Sequence, residues 1–329
     1  MVASAQIRNT PVCVIDFETT GLSAGRDRVV EVSVVRVDPG GEPKLVLDTL
    51  VNPQRSVKAT DVHGITDEDV ADAPLFADIA DQIIEAISGS VVAAYNVYFD
   101  MRFFRDEMAR AGYPVEVPHV CLMYMRPLLG LGGRCPLGQA CSQHSIPYEP
   151  KHHAYIDAYA AGRLVPLYLE EAQRNGISTY ADLMSRGSYK FLKSLELPLL
   201  STDGGRRRED GTPKILSRAA AFGFGSAVKP PAAVRTSERE VDCAKLHMYQ
   251  SAILSAVADR VIEEEEIREV AKLQRGLGLD KGQLRAVHAS VFSAVLADAI
   301  EDRYLDKQEV EDLRKLHACL SELGYAPGC

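Results

Sequence analysis

The first half of the chain alternates short apolar runs with longer segments in which apolar residues recur every three or four positions. Short β-branched runs bounded by turn residues predict strands, and the periodic segments predict amphipathic helices. The predicted strands cover residues 11–17, 28–37, 44–51, 91–95 and 115–121. The predicted helices cover residues 66–69, 74–88, 96–112, 122–127, 137–144 and 154–173. Three strands in a meander, then strands alternating with helices, predict a mixed α/β layer.

The pattern changes after Gly176. Residues 174–243 are rich in glycine, proline, arginine and serine, which predicts a largely disordered linker. A short apolar island at residues 189–195 is expected to dock on a folded part of the chain. From residue 244 the chain returns to amphipathic helical periodicity. The predicted organisation is an α/β domain at residues 8–173, a linker at 174–243 and an all-α domain at 244–329.

An internal repeat lies within the predicted all-α domain. Residues 252–262 resemble residues 294–305, with one extra residue before a shared Asp-Arg pair. Repeats of this kind are supersecondary units that bury their apolar faces against each other, so a small helical bundle is expected.

Composition and charge restrict the possible functions. The net charge of −9 argues against a constitutive coat for nucleic acid or membranes, but it leaves room for an enzyme whose bound metals neutralise its acids. The seven cysteines form no CxxC pair, so neither a zinc knuckle nor a disulfide framework is indicated. The chain has no signal-peptide pattern and no apolar run of membrane-spanning length, which predicts a cytoplasmic protein with no membrane association.

The first candidate for chemistry is the pair Asp16 and Glu18 at the end of the first predicted strand. Residues two apart on a strand point to the same face, so both carboxylates project together. Adjacent carboxylates repel each other unless a cation lies between them, and hard divalent cations take oxygen ligands. The alternative is a solvated strand end with two surface acids.

Two further acids fall at the starts of predicted helices. Asp100 follows Asn96 by four residues, which places the two side chains near each other across one helical turn. Asp157 lies in the first turn of the last helix, five residues after His152. Each acid alone could be a helix-start residue favoured by the helix dipole, and the histidines could be ordinary loop residues.

The combination resembles a known family. The motifs Asp-x-Glu-Thr-Thr-Gly-Leu, Asn-x-x-Phe-Asp and His-x-x-x-x-Asp occur in this order over residues 11–172. This arrangement is similar to the DnaQ-like 3′–5′ exonucleases of the DEDDh branch. The resemblance implies an RNase H-like fold with a mixed sheet and two divalent cations, Mg²⁺ or Mn²⁺, as cofactors.

The resemblance also implies roles for individual residues. The metal ligands would be Asp16, Glu18, Asp100 and Asp157, and His152 would be the general base, with His153 a weaker candidate because its spacing to Asp157 is one residue too short. The residues expected to contact the terminal nucleotide are Thr19, Thr20, Gly21, Leu22, His63 and Asn96. One departure is Val120-Cys121-Leu122-Met123, where many relatives carry an Asp-Thr pair; this position is outside the metal quartet and is expected to alter packing and not activity.

The implied activity is release of nucleoside 5′-monophosphates from the 3′ end of a nucleic acid, expected to be single-stranded, in proofreading or repair. Whether the strand is DNA or RNA depends on 2′-hydroxyl contacts that the sequence does not show. The alternative is a catalytically silent nucleic-acid-binding or scaffold protein with the same fold. The arginines at residues 206–208 could contact phosphates, although a solvated linker fits their composition better.

The C-terminal repeat is similar to TerB-like helical domains, with Arg260 and Arg303 at the positions of the usual glycine. Asp259 and Asp302 could belong to a metal site, but helix capping fits their spacing better than an EF-hand loop does. This domain is predicted to be an interaction module for a protein partner.

Overall fold

A computed structural model describes residues 1–21, 24–148, 153–187, 189–201, 216–218, 245–246, 249–250, 252–253, 264–299 and 307–327. The described residues form two compact units. The first unit contains residues 1–21 and the described residues from 28 to 218. The second unit contains residues 24–27 and the described residues from 245 onward.

A five-stranded mixed sheet organises the first unit. Its strands are β1 (Val12–Thr19), β2 (Val29–Val37), β3 (Lys44–Leu50), β4 (Val91–Ala94) and β5 (His119–Cys121). Their order is β3-β2-β1-β4-β5, with the first three strands antiparallel and β1, β4 and β5 parallel. This arrangement, flanked by helices, is the predicted RNase H-like α/β fold, and the prediction of fold class is confirmed.

The last predicted strand is shorter than expected. Residues 115–118 are outside β5, which contains only His119–Cys121. Pro118 lacks a backbone N–H, so it cannot donate to the sheet, although its carbonyl oxygen accepts a hydrogen bond from the Val92 N–H at 2.9 Å. The prediction for residues 115–118 is therefore wrong because proline delays the start of regular pairing.

Helices flank the sheet. They are α1 (Thr60–His63), α2 (Asp67–Val70), α3 (Phe76–Ile87), α4 (Val97–Arg110), α5 (Leu122–Leu128), α6 (Leu137–Gln143) and α7 (Ala154–Arg174). The apolar stripe predicted for α3 is buried, including Ile79, Ile83 and Ile87. Helix α7 packs across β1 and β2, and Gly162 allows the close approach, because a Cβ atom there would lie 3.1 Å from Cγ1 of Val35.

Part of the segment predicted as linker is folded onto the first unit. It contains helix α8 (Tyr180–Met184) and a 3₁₀ helix (Lys190–Glu196), with Tyr180 and Leu195 buried. The apolar island docks on β5 as expected, where the Ser194 hydroxyl accepts a hydrogen bond from the His119 N–H at 2.8 Å. The linker prediction is wrong for this part, because glycine and serine between the apolar residues obscured their helical spacing. The arginines at 206–208 lie outside the described residues.

The second unit is helical, as predicted. Its described helices include α9 (Glu264–Leu277), α10 (Lys281–Ala299) and α11 (Lys307–Glu322). They enclose an apolar core that includes Tyr249, Val291 and Leu320. Most of the internal repeat, including Asp259, Arg260, Asp302 and Arg303, lies outside the described residues, so the TerB-like resemblance stays a prediction.

A buried histidine joins three parts of the second unit. His288 is fully buried, its Nε2 atom lies 2.8 Å from the Tyr249 hydroxyl, and its Nδ1 atom lies 2.5 Å from the Tyr325 carbonyl oxygen. Because a carbonyl oxygen only accepts, Nδ1 carries the proton and Nε2 accepts from Tyr249. With a neutral ring Nε2 accepts from the tyrosine, and protonation of Nε2 would reverse this bond so that the Tyr249 hydroxyl oxygen accepts.

We expect acid to destabilise the second unit. Burial lowers the pKa of His288 below its ordinary value of 6.5, so the unfolded chain binds this proton more readily than the folded chain does. The contribution of neutral His288 to the stability of the second unit is therefore complete above about pH 6.5 and is lost as the pH falls below that value. Amide hydrogen exchange of α10 at pH 7.5 and 5.5, corrected for intrinsic rates, measures this loss of stability. In His288→Gln the extra exchange at pH 5.5 should be absent.

In the described part of the chain, the cysteines at positions 13, 121, 135, 141 and 319 are buried, reduced thiols. In the part of the chain that the structure describes, no helix combines the length and apolar character needed to cross a bilayer.

Candidate active site

Three carboxylates converge at the carboxyl end of β1. Asp16 and Glu18 project from one face of the strand, and Asp157 approaches from the first turn of α7. One oxygen atom of each side chain lies within 4.8 Å of the corresponding atoms of the other two. The structure thus brings together residues that are far apart in the sequence, at a spacing suited to one or more cations.

Asp100 joins this group from the first turn of α4. It is 4% exposed, and its Oδ1 atom accepts a hydrogen bond from the Phe17 N–H at 3.2 Å. Because the Phe17 amide lies between Asp16 and Glu18 on β1, this bond holds Asp100 against the other acids. All four predicted metal ligands therefore surround the end of β1.

Burial and mutual repulsion raise the pKa values of these acids. Burial is the larger cause for Asp16, and Asp100, Asp157 and Glu18 add to it; burial also dominates for Glu18, where Asp157 contributes next. Burial raises the pKa of Asp100 to about 8 and that of Asp157 to about 7. Buried carboxylates stay ionised together only if a cation compensates them, and an all-oxygen donor set fits hard ions such as Mg²⁺ and Mn²⁺.

A tyrosine that the sequence did not single out orients one of these acids. The Tyr148 hydroxyl donates a hydrogen bond to Oδ1 of Asp157 at 2.9 Å, which opposes the effect of burial on the pKa of Asp157. Gly138 on α6 makes room for the ring, since a Cβ atom there would lie 3.3 Å from Cε1 of Tyr148. Partners that orient a metal ligand in this way commonly tune its affinity.

Tyr148→Phe should therefore weaken the site without removing a ligand. We expect the Mn²⁺ concentration needed for half-maximal nuclease activity to rise about tenfold, because Asp157 loses the donor that favours its ionised form. Titration of activity with Mn²⁺ measures the change. Tyr159→Phe is the matched control, because the Tyr159 ring packs on Tyr155 in the same helix. An unchanged metal requirement in Tyr148→Phe would contradict this role.

A fifth acid, Glu31, lies beside the four predicted ligands. It pairs with Glu18 across β1 and β2 and is fully buried. Its Oε2 atom accepts hydrogen bonds from the Ala154 N–H at 3.1 Å and from Arg218 Nη1 at 3.2 Å. Burial raises the pKa of Glu31 to about 7, and Arg218 opposes this. The sequence signal that could have identified Glu31 is its charge within a valine-rich strand. Its partners Ala154 and Arg218 are distant in sequence, so the sequence alone does not show them.

The turn after β1 is held by hydrogen bonds between side chains and the backbone. The Thr19 hydroxyl donates to the Gly21 carbonyl oxygen at 2.6 Å, and the Thr20 hydroxyl accepts from the Arg28 N–H at 3.1 Å. His63 is 2% exposed, and its Nδ1 atom accepts from the Ile65 N–H, so its Nε2–H donates to the Thr19 carbonyl oxygen at 3.2 Å. These contacts give His63 a structural role in the turn, and contact between these residues and a nucleotide stays a prediction.

An ion pair between Arg28 and the buried Glu107 stabilises the chain that follows this turn. Glu107 on α4 is 1% exposed and receives two hydrogen bonds from Arg28, at 2.7 Å from Nε and 3.0 Å from Nη2. The Val29 N–H also donates to Glu107 at 3.2 Å. Because both oxygens of the carboxylate are bound, the residues that follow the turn are fixed to α4, which also carries Asp100.

The structure describes only some of the remaining predicted site residues. Asn96 immediately precedes α4, and its Oδ1 atom is shielded from solvent without a hydrogen-bond partner in the described part of the chain. His152 and Leu22 lie outside the described residues, so their roles stay predictions. His153 immediately precedes α7, and its Nε2 atom lies 3.0 Å from Nη2 of Arg218.

Sequence comparison relates this region to nucleases. The RNase_T family model, described as Exonuclease, matches residues 13–165. The chain is 28% identical over 275 residues to a DNA polymerase III PolC-type of Lactococcus lactis, covering 79% of this chain and 16% of that protein. It is 31% identical over 182 residues to a DNA polymerase III subunit epsilon-like protein of Rhodobacter capsulatus, covering 52% of this chain and 25% of that protein. The chain thus spans a quarter or less of the length of these relatives.

Structural comparison finds exonuclease I. One structure of exonuclease I is 14% identical, with a TM-score of 0.44 and coverage of 96% of this chain and 99% of that chain. Escherichia coli exonuclease I in complex with a dA16 oligonucleotide is 13% identical, with a TM-score of 0.41 and coverage of 95% of this chain and 100% of that chain.

Proposed function

We propose that this protein is a metal-dependent 3′–5′ exonuclease of the DnaQ-like family that releases nucleoside 5′-monophosphates, and the match of the exonuclease family model to residues 13–165 supports this. The observation that carries the proposal is the convergence of Asp16, Glu18, Asp100 and Asp157 around the end of β1. A catalytically silent binding protein would not require four mutually repelling acids in one buried site, because each adds a desolvation cost.

In this proposal the four acids hold two divalent cations, Mg²⁺ or Mn²⁺. When bound, such ions polarise the phosphodiester, lower the pKa of water and stabilise the developing charge on the leaving oxygen. The protein supplies the ligand geometry: the Phe17 amide holds Asp100, the Tyr148 hydroxyl holds Asp157, and the β1 backbone places Asp16 and Glu18 on one face.

His152 is the proposed general base. A neutral imidazole accepts a proton from the attacking water, and its ordinary pKa near 6.5 suits this task at neutral pH. Its position five residues before Asp157 places it close to the metal ligands in sequence. His153 is the weaker candidate, and the contact of its Nε2 atom with Arg218 supports that ranking.

We propose that the 3′-terminal nucleotide lies against the turn formed by Thr19, Thr20, Gly21 and Leu22, with Asn96 as a further contact. The unpartnered, solvent-shielded Oδ1 atom of Asn96 supports a ligand there, because buried acceptors are almost always satisfied. We propose single-stranded DNA as the substrate and proofreading or repair as the role, in keeping with the similarity to DNA polymerase III proteins. The helical second unit would bind a protein partner.

A 5′-labelled oligonucleotide tests the proposal directly. With Mg²⁺ or Mn²⁺, a 3′–5′ exonuclease produces a ladder of labelled products that shorten progressively, together with 5′-mononucleotides. A phosphorothioate bond at the 3′ end should stall the reaction, whereas the same bond at the 5′ end should not. A matched RNA strand tests the preference for DNA. Absence of mononucleotides under conditions in which the strand is demonstrably bound would favour the silent binding protein.

A further inference from the structure

One short piece of the predicted linker is bound to the edge of the sheet. The Leu50 N–H on the edge strand β3 donates to the Leu216 carbonyl oxygen at 2.9 Å, and the Leu216 N–H donates to the Thr49 hydroxyl at 3.2 Å. The Leu216 side chain packs against a cluster of buried residues that includes Val30 and Ile65. The Ser217 hydroxyl also bonds to Asp48.

This docking places the Arg218 guanidinium among three elements that surround the acidic site. Nη1 donates to Glu31 on β2 at 3.2 Å, while Nη2 donates to the His63 carbonyl oxygen at 3.1 Å and contacts Nε2 of His153 at 3.0 Å. The side chain is only 19% exposed, and its carboxylate partner is fully buried. Arginine can bridge several acceptors in one plane, which a lysine ammonium on a flexible stem does less well.

The contacts of Arg218 continue to the first turn of α7. The Glu31 atom that accepts from Arg218 also accepts from the Ala154 N–H, the first residue of that helix. His153, which contacts Arg218 directly, precedes Ala154, and its carbonyl oxygen accepts the N–H of Asp157 at 3.1 Å. Arg218 is therefore linked to Asp157 by two short routes, both through the start of α7.

We propose that Arg218 is a positioning residue of the exonuclease site. Delivered by the docked segment 216–218, it holds His153 and the first turn of α7 in the arrangement that catalysis requires. This inference rests on the proposed function. It makes a docked piece of the predicted linker part of the active-site architecture of the first unit.

The test compares Arg218→Ala with wild type and with Arg174→Ala, a control at the exposed end of α7. At saturating metal and a temperature well below unfolding, we expect kcat of Arg218→Ala to fall about 10- to 100-fold, the range seen when an outer contact of a metal site is lost, with KM within about twofold. Hydrogen exchange should accelerate in peptides that contain the first turn of α7. Leu216→Asp should reproduce both effects, and the double variant should be no worse than either single variant, because both remove the same contact.

The alternatives give different results. A rise in KM with unchanged kcat would overturn the proposal and identify Arg218 as a contact for substrate phosphate. A lower melting temperature with unchanged kcat and KM would overturn it in favour of a purely structural contact. If wild type releases no mononucleotides, the proposed function fails instead, and hydrogen exchange still decides whether Arg218 orders α7: unchanged exchange in Arg218→Ala overturns that part.

Discussion

Asp16→Asn is expected to reduce mononucleotide release by about a thousandfold or more while leaving the fold intact. The substitution keeps the shape of the side chain but replaces an anionic metal ligand with a neutral one. Loss of a few kcal/mol of transition-state stabilisation corresponds to about this factor in rate. The measurement is single-turnover hydrolysis of a labelled strand at saturating Mn²⁺, with circular dichroism to confirm folding.

The control for this variant is Asp38→Asn, because Asp38 forms an exposed ion pair with Arg36 at the far end of β2. Its turnover should match wild type. The metal-free Asp16→Asn protein should also be more stable than metal-free wild type, since one repelling charge has been removed from a buried cluster. Retention of more than a tenth of wild-type turnover by Asp16→Asn would contradict its role as a metal ligand.

The second large effect concerns stability in the absence of metal. Without cations, the first unit should lose stability as pH rises from about 4 to about 8. The pKa values of Asp100 and Asp157 rise from their ordinary value of 3.8 to about 8 and about 7 on folding, so the folded state binds protons that the unfolded state releases. The two protonated acids contribute fully to the stability of the first unit below about pH 4, and this contribution is lost as the pH rises through their pKa values in the folded state.

Divalent cations should reverse this loss. At pH 8, a metal concentration 100 times the dissociation constant stabilises the folded state by about 2.7 kcal/mol for a single site. Differential scanning calorimetry at pH 5.5 and 8, with EDTA or Mn²⁺, measures both effects, and the transition that responds to Mn²⁺ identifies the first unit. Asp100→Asn should flatten the pH dependence in EDTA. A metal-free transition that is more stable at pH 8 than at pH 5.5 would contradict the repulsion argument.

Much of the candidate active site follows from local sequence patterns. The alternation of β1 places Asp16 and Glu18 on one face whatever surrounds the strand. The placement of Asp100 and Asp157 in the first turns of helices is equally local, and the four acids converge as the family resemblance implied. The helical character of the second unit also follows from apolar periodicity alone, because a stripe of this spacing must be buried.

Other features depend on which segments meet after folding. Tyr148 carries no motif, and Glu31 was an unexplained charge within a strand until the pairing of β1 with β2 placed it beside Glu18. Arg218 belongs to a segment whose composition predicts a linker. Only the folded structure shows that it lies beside the site. The local pattern determined the faces of strands and helices, whereas contacts across 155 or 187 residues were decided by strand order and docking, which local periodicity does not encode.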